Sequence, residues 1–318
     1  MVTWNNLDTL AAFSKLIQLK DCVNIAQAMT GENGAARVKK YSAPMAAGLH
    51  FNYAAKQVND DVLAALAQLA EETQAIDKYK ELLNGAVINT GEKRLVLHQL
   101  ARGQQCDAVI ADGVDKREFY VSQQEKIAAF AKKVHAGEIT NEAGEPYTTV
   151  VQIGIGGSDL GPRAIYLALE NWARVHDTLK MEAKFISNVD PDDAAAVLQS
   201  VDIAHTLFIV VSKSGTTLET LTNETFVKNA IKNAGLEVSK HMLAVTSETS
   251  PLAKGADYMA AFFMDDYIGG RYSSSSAVGG AVLSLAFGPD VVAEILDGAA
   301  ETDKLSLNEN ILENAALL

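Results

Sequence analysis

Beyond Tyr147 the chain alternates short, wholly apolar runs with amphipathic stretches: TTVVQIGI, PRAIYLALENWARV, KFIS, a stretch opening DPDDAAAVLQ, TLFIVVS, TLETLTNETFVKNAIKNAG, MLAVTS and AAFFMD. Strands with one wet face alternate polar and apolar side chains. These runs do not alternate, so each must be buried on both faces, which is how the strands of a parallel sheet flanked by helices read. The expected fold class is α/β, a doubly wound parallel sheet of about five strands with ligands beyond the carboxyl ends of the strands. Upstream, Leu49 to Phe130 reads as mostly helical. In DDVLAALAQLAEETQ, for example, apolar residues recur at three- and four-residue spacing above a charged opposite face. The polar loop HAGEITNEAGEPY separates the two regimes.

The 318-residue chain exceeds the usual size of one compact domain, so a second domain or a substantial flanking piece is expected. Its net charge of −13, from 27 basic and 40 acidic residues, would repel a polyphosphate backbone, and no basic block with interleaved aromatics offsets it. Nucleic acid is therefore not an expected partner. Nor is a membrane: the longest apolar stretch, GGAVLSLAFG, is about half of the ~20 residues a span needs. The opening MVTWNNLDTLAAF lacks the basic head and cleavage site of a signal peptide. Cys22 and Cys106 are then expected as reduced thiols of a cytoplasmic protein. Six histidines are scattered singly without HExxH, CxxC or paired-ligand spacing, so no metal site is expected.

Three loops that follow apolar runs hold the candidates for chemistry. In GIGGSDLGPR, Gly154 to Arg163, four glycines let backbone amides approach a ligand, and Pro162 suits the first turn of a helix. A dinucleotide fingerprint counted from Gly154 would need glycine where Asp159 stands, so a nicotinamide cofactor is not expected. Any one of these glycines could serve only a tight turn. Four beside Ser158 and Asp159 suit a binding role better.

The second loop is SKSGTTLET, Ser212 to Thr220. Thr216 and Glu219 have capping-box spacing, which predicts a helix beginning just after Gly215 with the hydroxyls of Ser212, Ser214, Thr216 and Thr217 around its amino end. Capping needs one hydroxyl. Several at a helix start suit a tetrahedral anion such as a phosphomonoester. Lys213 adds charge there or is simply an exposed turn lysine, and the absence of GxxxxGK[ST] removes a magnesium nucleotide from consideration. In the third loop, DDYIGGRYSSSSAVGG, two glycines precede Arg271, whose permanent charge and directional donors suit a developing oxyanion. Farther upstream Arg94, His98 and Arg102 stand four apart, which predicts one polar, partly solvated helix face.

IGIGGSDLGP, SKSGTTLET and GGRYSSSSAVG, in that order, resemble the signature stretches of the phosphoglucose isomerase family, and VLHQLAR resembles the family's VLHxxLR segment. The likeness runs from about residue 40 to the last residue. It implies a helical segment over residues 1–115 belonging to the larger domain, a sugar-isomerase domain over 116–290, and the start of a second α/β domain over 291–318. It also implies a cytoplasmic, cofactor-free homodimer that interconverts glucose 6-phosphate and fructose 6-phosphate in glycolysis and gluconeogenesis. By this resemblance the phosphate contacts fall on Ser212, Lys213, Ser214 and Thr217, with Gly215, Thr216 and Thr220 nearby. Gly157 and Ser158 match sugar contacts. Arg271, with Gly270 beside it, matches the residue that stabilises the enediolate-like transition state.

The sequence departs from the family pattern in three places. A serine stands where the family's GGR box often has tryptophan, and a small Ser-Gly pair follows Lys213. Family members are longer, and their general-base glutamate, ring-opening histidine and late lysine lie in a second domain, the last two in stretches such as GQHAFYQ and QxGVExxK that are absent here. In SLNENILENAALL a capping box at Ser306 and Glu309 predicts a helix running to the last residue without a stop signal. The chain is thus expected to be an amino-terminal fragment, inactive alone. Within it Glu219 reads as a capping partner, Asp159 as a turn residue and the six histidines as structural, so none is expected as the base. A non-catalytic sugar-phosphate sensor would need the same sheet and phosphate loop and no base at all.

Overall fold

The computed structural model describes residues 2–318. Five strands fall on the five apolar runs: β1 (Thr149–Ile153), β2 (Glu182–Ile186), β3 (Thr206–Val211), β4 (Met242–Thr246) and β5 (Ala260–Phe263). They form one parallel sheet in the order 2-1-3-4-5. Every residue of β1, β3 and β4 is buried, as the unbroken apolar pattern requires.

Successive side chains of these strands enter opposite layers. Val150, Leu207, Ile209 and Leu243 pack with α1 (Lys116–His135), α2 (Leu160–Val175) and α5 (Ala277–Phe287). Val151, Phe208, Val210 and Met242 pack with α3 (Pro191–Gln199) and α4 (Leu218–Asn233). Phe208, fully buried between β1 and β4, has the largest side chain at the centre of that second layer. Truncation of such a residue to alanine costs about 3–5 kcal/mol.

Helix starts follow the sequence signals in two cases. Asp190 accepts from the N–H groups of Asp192 and Asp193, with Pro191 in the first turn of α3. Asp115 accepts from Arg117 and Glu118 N–H at the start of α1.

The chain divides into two compact units. One holds the residues up to Ile88 with Gln104–Asp107 and Asp297–Leu318, and the other holds Asn89–Gly103 and Ala108–Leu296, with the parallel sheet. In this division residues 89–103 and 108–115 fall with the sheet rather than with the residues before them. The boundary near the end falls inside α6 (Pro289–Leu305). In the first unit, helices Gly31–Lys40 and Asp60–Glu72 and the antiparallel pair Ser42–Pro44 and His50–Asn52 enclose a core of Tyr41, Ala43, Tyr53, Ala54 and Leu63.

Two helical expectations are corrected. The Leu49–Phe130 stretch, expected to be mostly helical, also holds the strand His50–Asn52 and, between Asn84 and Asp115, a 3-10 turn at His98–Ala101 and a short antiparallel pair, Ile110–Ala111 with Val114–Asp115. No helix starts at Ser306 either. The chain makes only a 3-10 turn at Ile311–Glu313, because asparagine side chains take up the backbone groups instead. Asn310 accepts from Leu312 N–H, and Asn314 binds the carbonyls of Ser306 and Asn308 and the N–H groups of Ala316 and Leu317.

Among the described residues, no helix is long and apolar enough to cross a membrane.

Candidate functional site

β1 and β3 are neighbours, yet the helices that follow them go to opposite faces of the sheet: α2 packs with one layer, α4 with the other. The loops leaving these two strands therefore part around a crevice at the switch point, where ligands of such sheets bind. They are the GIGGSD and SKSGTT loops.

The SKSGTT loop is held from behind. Ser212, 3% exposed, donates its N–H to the Val245 carbonyl, and its own carbonyl accepts from the Thr246 hydroxyl. The Lys213 carbonyl accepts from Ser247 N–H. Ser212 Oγ accepts from Gly215 N–H and donates to Thr217 Oγ1, each at 3.1 Å, closing the turn on itself. Gly215 sits at φ +66°, and a Cβ there would lie 2.0 Å from Ser250 Oγ, so glycine is required on both counts.

The expected capping box is absent. Ser214 Oγ accepts from both Thr216 N–H and Thr216 Oγ1, which turns Thr216 away from the helix start. α4 begins at Leu218 with Thr217 in the capping position and no side-chain cap bond. Its first-turn N–H groups and partial positive charge thus remain for a ligand. Thr220 is 2% exposed, and its hydroxyl has no hydrogen-bond partner.

The GIGGSD loop meets the Arg271 loop backbone to backbone. A Cβ on Gly157 would fall 1.9 Å from the Gly270 carbonyl oxygen and 2.6 Å from Arg271 N. Ser273 Oγ binds the carbonyls of both Gly157 and Gly270, at 3.2 and 2.7 Å. The Ser158 carbonyl accepts from the buried Gln152 amide at 2.7 Å. Asp159, 3% exposed, is more than a turn residue, since it pairs with Arg163 at 2.8 Å. Burial raises its carboxyl above the usual range, with Arg163 opposing.

Arg271 is exposed and forms no ion pair among the described residues; its guanidinium lies 5.7 Å from the Tyr272 ring centre. Lys213 Nζ stands 3.7 Å from Asp266.

Arg94, His98 and Arg102 do not share a helix face. Arg94 sits in an isolated bridge with Asn89, and His98 opens the 3-10 turn. His98 Nε2 accepts from Gly269 N–H at 2.8 Å, which ties the VLHQLAR segment to the turn before Arg271. Burial holds the imidazole below its usual range, and the charges of Arg102, Arg271 and Lys213 push it further down. All three cations therefore act on one point. No sequence signal marked His98 for this contact, because its partner lies 171 residues away in the chain. Lys116, Tyr120 and Asp265, which brace the same turn, were equally invisible. No group of three or more metal-ligating side chains occurs among the described residues.

A 2-1-3-4-5 parallel sheet with its loops parted around a crevice at the switch point defines a doubly wound α/β protein. The phosphoglucose isomerase model matches residues 52–318, and the chain belongs to the phosphoglucose isomerase family. It is 56% identical over 319 residues to a glucose-6-phosphate isomerase of Treponema denticola, covering 99% of this chain and 60% of that protein. It is 45% identical to the enzyme of that name from Borreliella afzelii, covering 100% of this chain and 60% of the relative. The crystal structure of a glucose-6-phosphate isomerase from Chlamydia trachomatis superposes with a TM-score of 0.84 at 34% identity, over 98% of this chain and 59% of that one. The chain thus spans about 60% of the length of the curated relatives it matches.

Proposed function

We propose that this chain is the phosphate-anchoring and oxyanion-stabilising part of a glucose-6-phosphate isomerase. The observation that carries the reading is the uncapped start of α4 ringed by the hydroxyls of the SKSGTT loop. The phosphate of a hexose 6-phosphate sits there, held by Ser212, Lys213, Ser214 and Thr217. Gly215 and Thr216 shape the turn, and the unpartnered Thr220 hydroxyl is a further donor. Gly157 and Ser158 line the sugar side with Gly270.

In the reaction a proton leaves C2 of the open-chain aldose and returns to C1 through a cis-enediol, so negative charge builds on the sugar oxygens. Arg271, without a carboxylate partner among the described residues, meets that charge. The general base, the ring-opening histidine and the late lysine come from the part of the relatives' length that this chain does not span. The chain alone therefore binds substrate without turning it over, and the complete enzyme is a cytoplasmic homodimer.

Thermal denaturation tests the reading. A ligand at a hundred times its Kd stabilises by about 2.7 kcal/mol, so fructose 6-phosphate raises the Tm of this chain by several degrees while NAD leaves it unchanged. A rise with NAD and none with fructose 6-phosphate refutes it. Sugar-phosphate binding without isomerisation in a protein of the relatives' full length leaves the sensor reading instead.

A further inference from the structure

The turn that carries Arg271 is braced by a buried charge pair outside the three loops. Asp265 follows β5 by two residues. Its Oδ1 accepts from the Tyr120 hydroxyl at 2.8 Å and from Tyr267 N–H at 3.1 Å, and its Oδ2 lies 3.4 Å from Lys116 Nζ. Lys116 and Tyr120 are four apart on α1 and so share a face, and they are only 6% and 4% exposed. A buried lysine demands a partner. Here the ammonium also stands 3.5 Å from Asp112 and 5.1 Å from the Tyr267 ring centre, and the Tyr267 hydroxyl donates to Asp112 at 2.9 Å. Beyond Asp265 the chain is pinned twice more: the Tyr267 carbonyl accepts from Leu97 N–H at 3.0 Å, and Gly269 N–H donates to His98. Two residues later comes Arg271.

We propose that Lys116, Tyr120 and Asp265 are positioning residues that clamp the turn before Gly269 to α1 and so aim the Arg271 guanidinium, setting turnover rather than substrate affinity. This rests on the isomerase reading above. Burial pushes the Asp265 carboxyl above its usual range, with Tyr120 and Lys116 pulling it back. With either removed, the carboxylate moves toward water and takes Tyr267 N–H with it. The backbone of the phosphate loop is anchored elsewhere, on Val245, Thr246 and Ser247, and of its side chains only Lys213, 3.7 Å from Asp266, reaches the braced turn. A displacement of about 1 Å at a reacting group can cost as much as a hundredfold in rate.

The test uses a protein of the relatives' full length that carries this sequence. Lys116→Met lowers kcat about tenfold and changes KM less than about twofold. Adding Asp265→Asn removes the uncompensated charge but keeps the acceptor for Tyr120 and Tyr267, and returns kcat to within about threefold of the wild type. Tyr120→Phe keeps the ring in the core and removes one hydroxyl, so it reports even if Lys116→Met does not fold; kcat falls about threefold at constant KM. Unchanged kcat in Tyr120→Phe, a loss carried by KM, or a folded Lys116→Met that Asp265→Asn fails to relieve overturns the proposal. A wild-type protein that binds fructose 6-phosphate without isomerising it overturns the isomerase reading, and the proposal with it.

Discussion

Gly157→Ala tests the contact on which the site geometry depends. Its new Cβ would sit 1.9 Å from the Gly270 carbonyl oxygen, where ordinary contact begins at 3.4 Å, so the two loops must part by about 1.5 Å. Both colliding groups are backbone, so no side chain can swing aside. Overpacking of this kind costs about 1–3 kcal/mol, which in a unit of this size lowers Tm by several degrees. The shift falls directly on Arg271, whose N lies 2.6 Å from the same Cβ, and a displacement above 1 Å predicts a loss of about a hundredfold in kcat. The phosphate loop makes none of these contacts, so affinity for inorganic phosphate by calorimetry changes less than about threefold. Gly270→Ala is the control for stability: a Cβ there meets nothing within 4 Å, and Tm stays at the wild-type value. Wild-type Tm and kcat in Gly157→Ala, or equal destabilisation by both substitutions, would refute the close approach of the two loops.

Three further outcomes follow from the site. Thr217→Val removes the acceptor of Ser212 Oγ and a donor to the anion; calorimetry should read a five- to tenfold weaker Kd for fructose 6-phosphate, about 1–1.4 kcal/mol, and an unchanged Kd removes Thr217 from the cup. Arg271→Ala in the full-length enzyme lowers kcat by about 10²–10³ with KM within a few-fold, and steady-state kinetics in which only KM moves contradict its role. His98 is depressed below its usual pKa, so its neutral form is the one that accepts from Gly269; its contribution to stability is complete above the ordinary imidazole range and is lost as pH falls through the depressed value. His98→Gln supplies a non-titrating acceptor, so Tm measured across pH 7 to 5 falls less steeply in the variant, and parallel curves sink the assignment.

The sheet was legible because burial on two faces is a local property: TLFIVV can be read as β3 without knowing its neighbours. Its 2-1-3-4-5 order needed the structure, and that order is what turns two glycine- and hydroxyl-rich loops into one crevice. Local signals failed where side chains compete for the same backbone groups. Ser214 takes Thr216 and moves the start of α4 to Leu218, while Asn310 and Asn314 replace the helix expected from Ser306 with a 3-10 turn. Contacts between distant segments left no local trace at all. His98, Lys116 and Tyr120 reach the Arg271 turn from 171, 149 and 145 residues away, and each alone looks like an ordinary polar residue.

Gly157 shows the limit of motif reading most clearly. A glycine required by a ligand and a glycine required by a neighbouring loop are the same letter, and here the space a side chain would need is already filled by the Gly270 carbonyl. The motif that suggests sugar contact therefore also encodes the approach that holds Arg271. A substitution at 157 should consequently act on turnover through loop position even in a variant whose ligand still binds.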